Sequence, residues 1–258
     1  MPKFAANLSM MFNEWAFLDR FAAAADAGFT AVEYLFPYAF KPDDIAERLA
    51  KHKLTQALFN LPPGNWEAGD RGIAALPSRA DELTAALAKA LPFAEATQVK
   101  RLHLMAGNAP SHDKASQQAY ESAIHRACAY FAPLGIDILL EPLNGRDMPG
   151  YFLHDFNVAA ALIAELALPN LKLQYDIYHR QIIHGDVVKS LEKLLPIVGH
   201  VQVASVPGRH EPGTGELDDA RIFSTLDSLH YDGFVGCEYR PANGTLAGLT
   251  WGHAGRHG

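Results

Sequence analysis

Cysteine is nearly absent: Cys128 and Cys237 are the only two in 258 residues. They lie far apart with no CxxC spacing, which excludes a disulfide framework and a thiolate zinc site. No uninterrupted apolar run approaches the roughly 20 residues that cross a bilayer. The opening "MPKFAANLSMMFNEW" has too short an apolar run, followed by an acid, to read as a signal peptide. These absences predict a soluble protein of a reducing compartment, the cytoplasm, with no membrane partner. Positive charge is also scarce. Lys and Arg total 22 against 29 Asp and Glu, for a net charge of -7, and no basic cluster is longer than "VKR" at Val99 to Arg101. Most of such a surface repels a phosphate backbone, so no nucleic-acid partner is expected. A small anion stays within reach, because one local Arg outweighs a weak global field. Glycine is missing where an open dinucleotide-binding sheet would need it: the segment after the first strand-like run, "NLSMMFNEW", has none.

What is present is an alternation. Eight short apolar, β-prone runs occur: Phe4–Met10, Ala31–Phe36, Leu54–Leu61, Gln98–Gly107, Ile136–Asn144, Leu171–His179, His200–Ser205 and Phe234–Pro241. Amphipathic Ala- and Leu-rich stretches such as "SRADELTAALAKALPFAEA" and "DFNVAAALIAEL" separate them. The length suits two average domains or one α/β barrel. Eight βα units with no linker, repeat or low-complexity tract predict one α/β domain over 1–258, a (β/α)8 TIM barrel. The longest irregular segment is Asn60 to Arg79, which carries Pro62, Pro63, Gly64, Gly69 and Gly72 beside Trp66 and Arg71. Long loops of this kind are often lids, so a lid is expected here.

In such a barrel the chemistry sits at the C-terminal ends of the strands. Glu141 ends the fifth run, Asp176 lies near the end of the sixth, Gln202 lies in the seventh and Glu238 near the end of the eighth. Singly, a strand-end acid is most often a helix cap or an ion-pair partner. Four oxygen-bearing side chains on consecutive strands point instead to a shared site. Three carboxylates that close repel unless a cation or a shared proton intervenes. An all-oxygen set suits Mg²⁺ or Mn²⁺ better than zinc. Strand parity turns Cys237 toward the helices as a packing residue. His103 is placed either in the barrel mouth or in the core, and His200 at the opposite, N-terminal face. The aromatics of "YLFPYAF" are split between walling a pocket and plain packing.

The segments "ILLEPLN", "LQYDIYH", "HVQVA", "RHEPGTGELD" and "GCEYRP" closely resemble hydroxypyruvate isomerases, which belong to the xylose-isomerase-like barrels. The likeness runs from Phe4 to about Trp251. It implies that Glu141 and Glu238 are the acid/base pair, and that Glu141, Asp176, Gln202 and Glu238 occupy metal positions. Many relatives have His where Gln202 stands, which leaves metal-independent activity open as well. The resemblance also implies that His179 contacts substrate and that Arg209 grips it. Arg71, in the expected lid, is a further candidate substrate contact, and Arg240 lies in a mouth loop as well. The implied activity interconverts hydroxypyruvate and tartronate semialdehyde; a related 2-oxo sugar acid or a ketose is the alternative substrate. A metal-dependent endonuclease and a non-catalytic binder are less favoured. A small 2-oxo acid is the expected partner, with a homo-oligomer possible. The tail "GHAGRHG", from about residue 252, departs from the family ending and is open to fraying.

Overall fold

The computed structural model describes residues 1–253; the tail from residue 254 lies outside them, and with it most of what was expected of 252–258. Eight parallel strands close into a barrel in sequence order, with β8 pairing back onto β1. They are β1 (Lys3–Asn7), β2 (Ala31–Tyr34), β3 (Thr55–Asn60), β4 (Arg101–His103), β5 (Asp137–Leu140), β6 (Leu171–Asp176), β7 (Val198–Val203) and β8 (Phe234–Cys237). Outside them lie α1 (Arg20–Asp26), α2 (Pro42–His52), α3 (Ala80–Thr97), α4 (Lys114–Phe131), α5 (Phe156–Leu166), α6 (Ile177–Ile183), α7 (Val187–Leu194) and α8 (Asp219–Ser228). Two helices follow β6, and among the described residues only a 3₁₀ turn, Ala247–His253, follows β8. Among the described residues, no helix is long and apolar enough to cross a membrane.

Local chemistry explains where helices begin. Pro42 opens α2 with Asp43 and Asp44 in its first turn, which favours the positive end of the helix dipole. Asp113, Asp155 and Asp218 cap α4, α5 and α8 by accepting backbone N–H groups. The outward residues of the strands pack under these helices. Cys237 is fully buried there, as expected, and burial pushes its thiol well up.

The inside of the barrel is layered. Ala5, Ala31 and Ala57 form a small apolar floor with Phe234 packed against it. Above it runs a polar layer centred on Glu33, which accepts hydrogen bonds from Asn7 Nδ2 (3.0 Å) and Gln202 Nε2 (2.8 Å) and contacts His200 Nε2 at 2.6 Å. Gly236 faces this carboxylate, and a Cβ there would displace it from its hydrogen-bonded place. His200 was expected at the N-terminal face. It is instead the third residue of β7, because that strand begins two residues earlier than the apolar pattern suggests, and its ring is buried inside the barrel.

The segment Asn60 to Arg79 is less free than a lid. Leu61 N–H donates to the His103 carbonyl and Ala75 N–H to the Ala106 carbonyl, and Ile73 to Ala75 are buried. Gly72 has φ +107° and packs directly on the Met105 carbonyl. The tip around Asn65 to Gly69 stands outward, with the Trp66 ring tilted against Phe36, and Pro77 and Ser78 are exposed as well.

Candidate active site

Each site residue is placed by the element it terminates. Glu141 follows β5 directly and is buried, with Oε2 3.4 Å from His103 Nδ1 at the end of β4. Asp176 is the last residue of β6 and also the N-cap of α6. Its Oδ1 accepts the Tyr178 N–H at 2.7 Å, while its buried Oδ2 has no hydrogen-bond partner. Asp176 thus caps a helix with one oxygen and turns the other toward the acids. Glu238 follows β8, and its Oε2 accepts from Arg209 Nη2 at 2.9 Å.

Arg209 reaches in from the loop after β7 and lies amid these acids. Its Nη2 is 3.6 Å from Asp176 Oδ2 and its Nη1 3.7 Å from Asp147 Oδ2, with the guanidinium 4.9 Å from the Tyr178 ring centre. Four carboxylates hold its charge firmly in place against the cost of burial. The acids respond to burial and crowding. Burial first, then Glu238 and Asp176, pushes the Glu141 carboxyl well above the usual carboxylate range. Burial raises Asp176 too, against the pull of Arg209. Glu238 is driven up to about 8 by burial, with Arg209 opposing and Asp176 and Glu33 adding to the rise.

His179, in the first turn of α6, has a fixed tautomer. Its Nδ1 accepts the backbone N–H of Asn144 at 3.0 Å. Burial, aided by Arg209 and His103, keeps the ring neutral. A neutral imidazole whose Nδ1 is an acceptor carries its proton on Nε2. That Nε2–H faces Asp176 Oδ2 at 3.7 Å. Ligand atoms of Glu141, Asp176 and His179 lie within 4.8 Å of one another. The histidine joins that cluster as a donor, since Nε2 has no lone pair to give a metal. His103 is held neutral by burial, with a pKa of about 3.

Of the residues expected at the site, Glu141, Asp176, Glu238, His179 and Arg209 come together. Gln202 pairs in register with Asp176 across β6 and β7, but its amide is engaged by Glu33 and by Gln174 Nε2, which donates to Gln202 Oε1 at 2.7 Å. Arg71 lies apart from the acids. It stacks 4.0 Å over Trp66, and its Nη1 donates to the Trp66 and Asp70 carbonyls. Of the "YLFPYAF" aromatics, Tyr34 stacks on Phe59 away from the mouth, and Phe36 meets Trp66. Sequence reasoning missed Glu33, Asn144 and Asp147. For Glu33 the signal was available: an acid alternating with Val32 and Tyr34 in a strand has to face the lumen.

Two buried oxygens, Glu141 Oε1 and Asp176 Oδ2, have no hydrogen-bond partner. Orphaned carboxylate oxygens among raised acids are what a divalent cation, or the hydroxyls of a substrate, would satisfy.

A family model described as a xylose isomerase-like TIM barrel matches residues 21–253. The chain is 50% identical over 253 residues to 2-oxo-tetronate isomerase of Cupriavidus necator, covering 97% of each chain. It is 39% identical over 254 residues to hydroxypyruvate isomerase of Escherichia coli, covering 97% of this chain and 98% of that one. A crystal structure of a Brucella melitensis protein described as an AP endonuclease of family 2 superposes with a TM-score of 0.95 at 48% identity, covering 97% and 98%. With its closed barrel, its strand-end acids and these matches, the chain belongs to the xylose isomerase-like TIM barrel family.

Proposed function

We propose that this protein is an isomerase of small 2-oxo acids that interconverts hydroxypyruvate and tartronate semialdehyde. The observation that carries the reading is the pair Glu141 and Glu238, both buried at the barrel mouth and both raised out of the ordinary carboxylate range. The reaction breaks one C3–H bond and forms one C2–H bond through an enediolate, and the C3 hydroxyl proton ends on the C2 oxygen. One glutamate takes the carbon-bound proton and the other delivers one, with roles exchanged in the reverse direction. His179 Nε2–H is the donor for the oxygen on which charge develops. Arg209 keeps three mutually repelling acids within reach of one another.

Glu141, Asp176 and Glu238 would hold Mg²⁺ or Mn²⁺, which the orphaned oxygens of Glu141 and Asp176 favour; the Gln202 amide is already engaged by Glu33 and Gln174. Such a cation, when bound, lowers the acids' pKa values and polarises the substrate's oxygens. The similarity to hydroxypyruvate isomerase of Escherichia coli supports the three-carbon substrate, and the 50% identity to a 2-oxo-tetronate isomerase supports a four-carbon one on the same chemistry. An endonuclease has less behind it. The net charge of -7 repels nucleic acid, and His179, the histidine within ligand distance of both Glu141 and Asp176, presents a proton rather than a lone pair.

The test is to incubate purified protein with hydroxypyruvate, 2-oxo-tetronate and a panel of ketoses, with and without Mn²⁺, and to follow products by NMR. Tartronate semialdehyde is expected from hydroxypyruvate. Turnover confined to the ketoses would contradict the proposal.

A further inference from the structure

A 2-oxo acid brings its own carboxylate, and the site described above is short of positive charge to receive it. Among the described residues Arg209 is its one cation, and it already faces Glu238, Asp176 and Asp147. A substrate carboxylate placed there would be one more anion in a cluster with excess negative charge. Arg71 is also committed, to Trp66 and its own loop carbonyls.

Arg240 is different. It stands two residues beyond Glu238 and lines a cleft of about 560 Å³ at the C-terminal mouth, with Ser9, Asn13, Glu14, Trp66 and Thr245 among the other walls. Its backbone is fixed: its N–H donates to the Arg209 carbonyl at 2.8 Å, and its carbonyl meets His210 Nδ1 at 2.8 Å. Its guanidinium has no hydrogen-bond or ion-pair partner among the described residues, and the residue is exposed. Glu14, the acid in the same cleft, has its carboxylate engaged by the Thr245 N–H at 2.7 Å and the Thr245 hydroxyl at 3.0 Å. That leaves Arg240 as the uncommitted charge of the cleft.

We infer that Arg240, rather than Arg209 or Arg71, anchors the carboxylate of the substrate. The inference rests on the proposed isomerase activity and deepens it: the substrate lies with C2 and C3 at the two glutamates and C1 toward the cleft. A guanidinium fork matches a carboxylate in two-point geometry, so the contact sets orientation as well as affinity. Because Arg240 touches no catalytic group, removing it should weaken binding and leave proton transfer nearly intact.

Steady-state kinetics on hydroxypyruvate with the full chain, Arg240→Gln and Arg240→Lys test this. Arg240→Gln is expected to raise KM about 10- to 100-fold, the range for a charged hydrogen bond, with kcat within about threefold. Arg240→Lys should fall between, because an ammonium keeps the charge without the fork. Its retained charge and stem keep the test available should the Gln variant fold poorly. An unchanged KM in either variant, or a loss confined to kcat, overturns the inference while leaving the isomerase reading standing. No turnover by the unmodified protein overturns both.

Discussion

A buried imidazole has two nitrogens, and at His179 the fold commits one of them. The Asn144 N–H occupies Nδ1, so Nε2 is left as a proton donor aimed at the acids. This separates two roles that proximity alone confuses, since His179 lies within ligand distance of Glu141 and Asp176. As a donor, it should matter for chemistry and not for metal affinity. His179→Gln is expected to lower kcat about 10²-fold, the cost of one oxyanion donor. Mn²⁺ binding measured by calorimetry should change less than about threefold. A large loss of Mn²⁺ affinity would show that the ring ligates after all. The same scale explains what could be read in advance. Glu141, Asp176 and Glu238 announce themselves because acids at the ends of apolar strands violate the pattern. The state of His179 does not, because it depends on an amide 35 residues away.

At the scale of elements, the eight strands and their order were legible, because apolar β-prone runs alternating with amphipathic stretches have few other solutions. Their exact starts were not. β7 begins at Val198, and the displacement carries His200 from the expected rim into the lumen, onto Glu33. The glycine- and proline-rich composition of Asn60 to Arg79 suggested a free loop. Composition does not reveal that Gly72 is glycine so that the chain can lie against Met105, or that Ala75 bonds to the Ala106 carbonyl in the loop after β4. The polar layer was equally hidden. Gln202 shares register with Asp176, as expected of consecutive strands, yet its amide is held from both sides by Glu33 and Gln174. That hold fixes which end of the amide is the acceptor, a detail set by three strands at once.

Across the whole molecule, three raised carboxyls make stability depend on pH. Glu141, Asp176 and Glu238 bind a proton more tightly folded than unfolded. Their contribution is fully present below the ordinary carboxyl range and is lost as pH rises through the folded values, about 8 for Glu238. The neutral histidines His103 and His179 have lowered values and act oppositely, but only below the ordinary imidazole range. Between about pH 6.5 and 8 the carboxyls therefore decide the sign. In chelator, Tm is expected to fall across that window, and less steeply in Glu238→Gln. A Tm that rises there in the unmodified protein would contradict the assigned shifts.

The central claim is that two glutamates, three strands apart around one barrel, move a proton between adjacent carbons. Turnover of hydroxypyruvate by Glu141→Gln, Glu238→Gln and the double variant tests it most directly, because the amide keeps the shape of each side chain and removes its proton. Each single variant is expected to lose on the order of 10²–10⁴ in rate. The double variant should be little worse than either, since the pair acts as a unit. Near-normal turnover by both single variants would contradict the two-carboxylate mechanism and pass the proton to a histidine, His179 first.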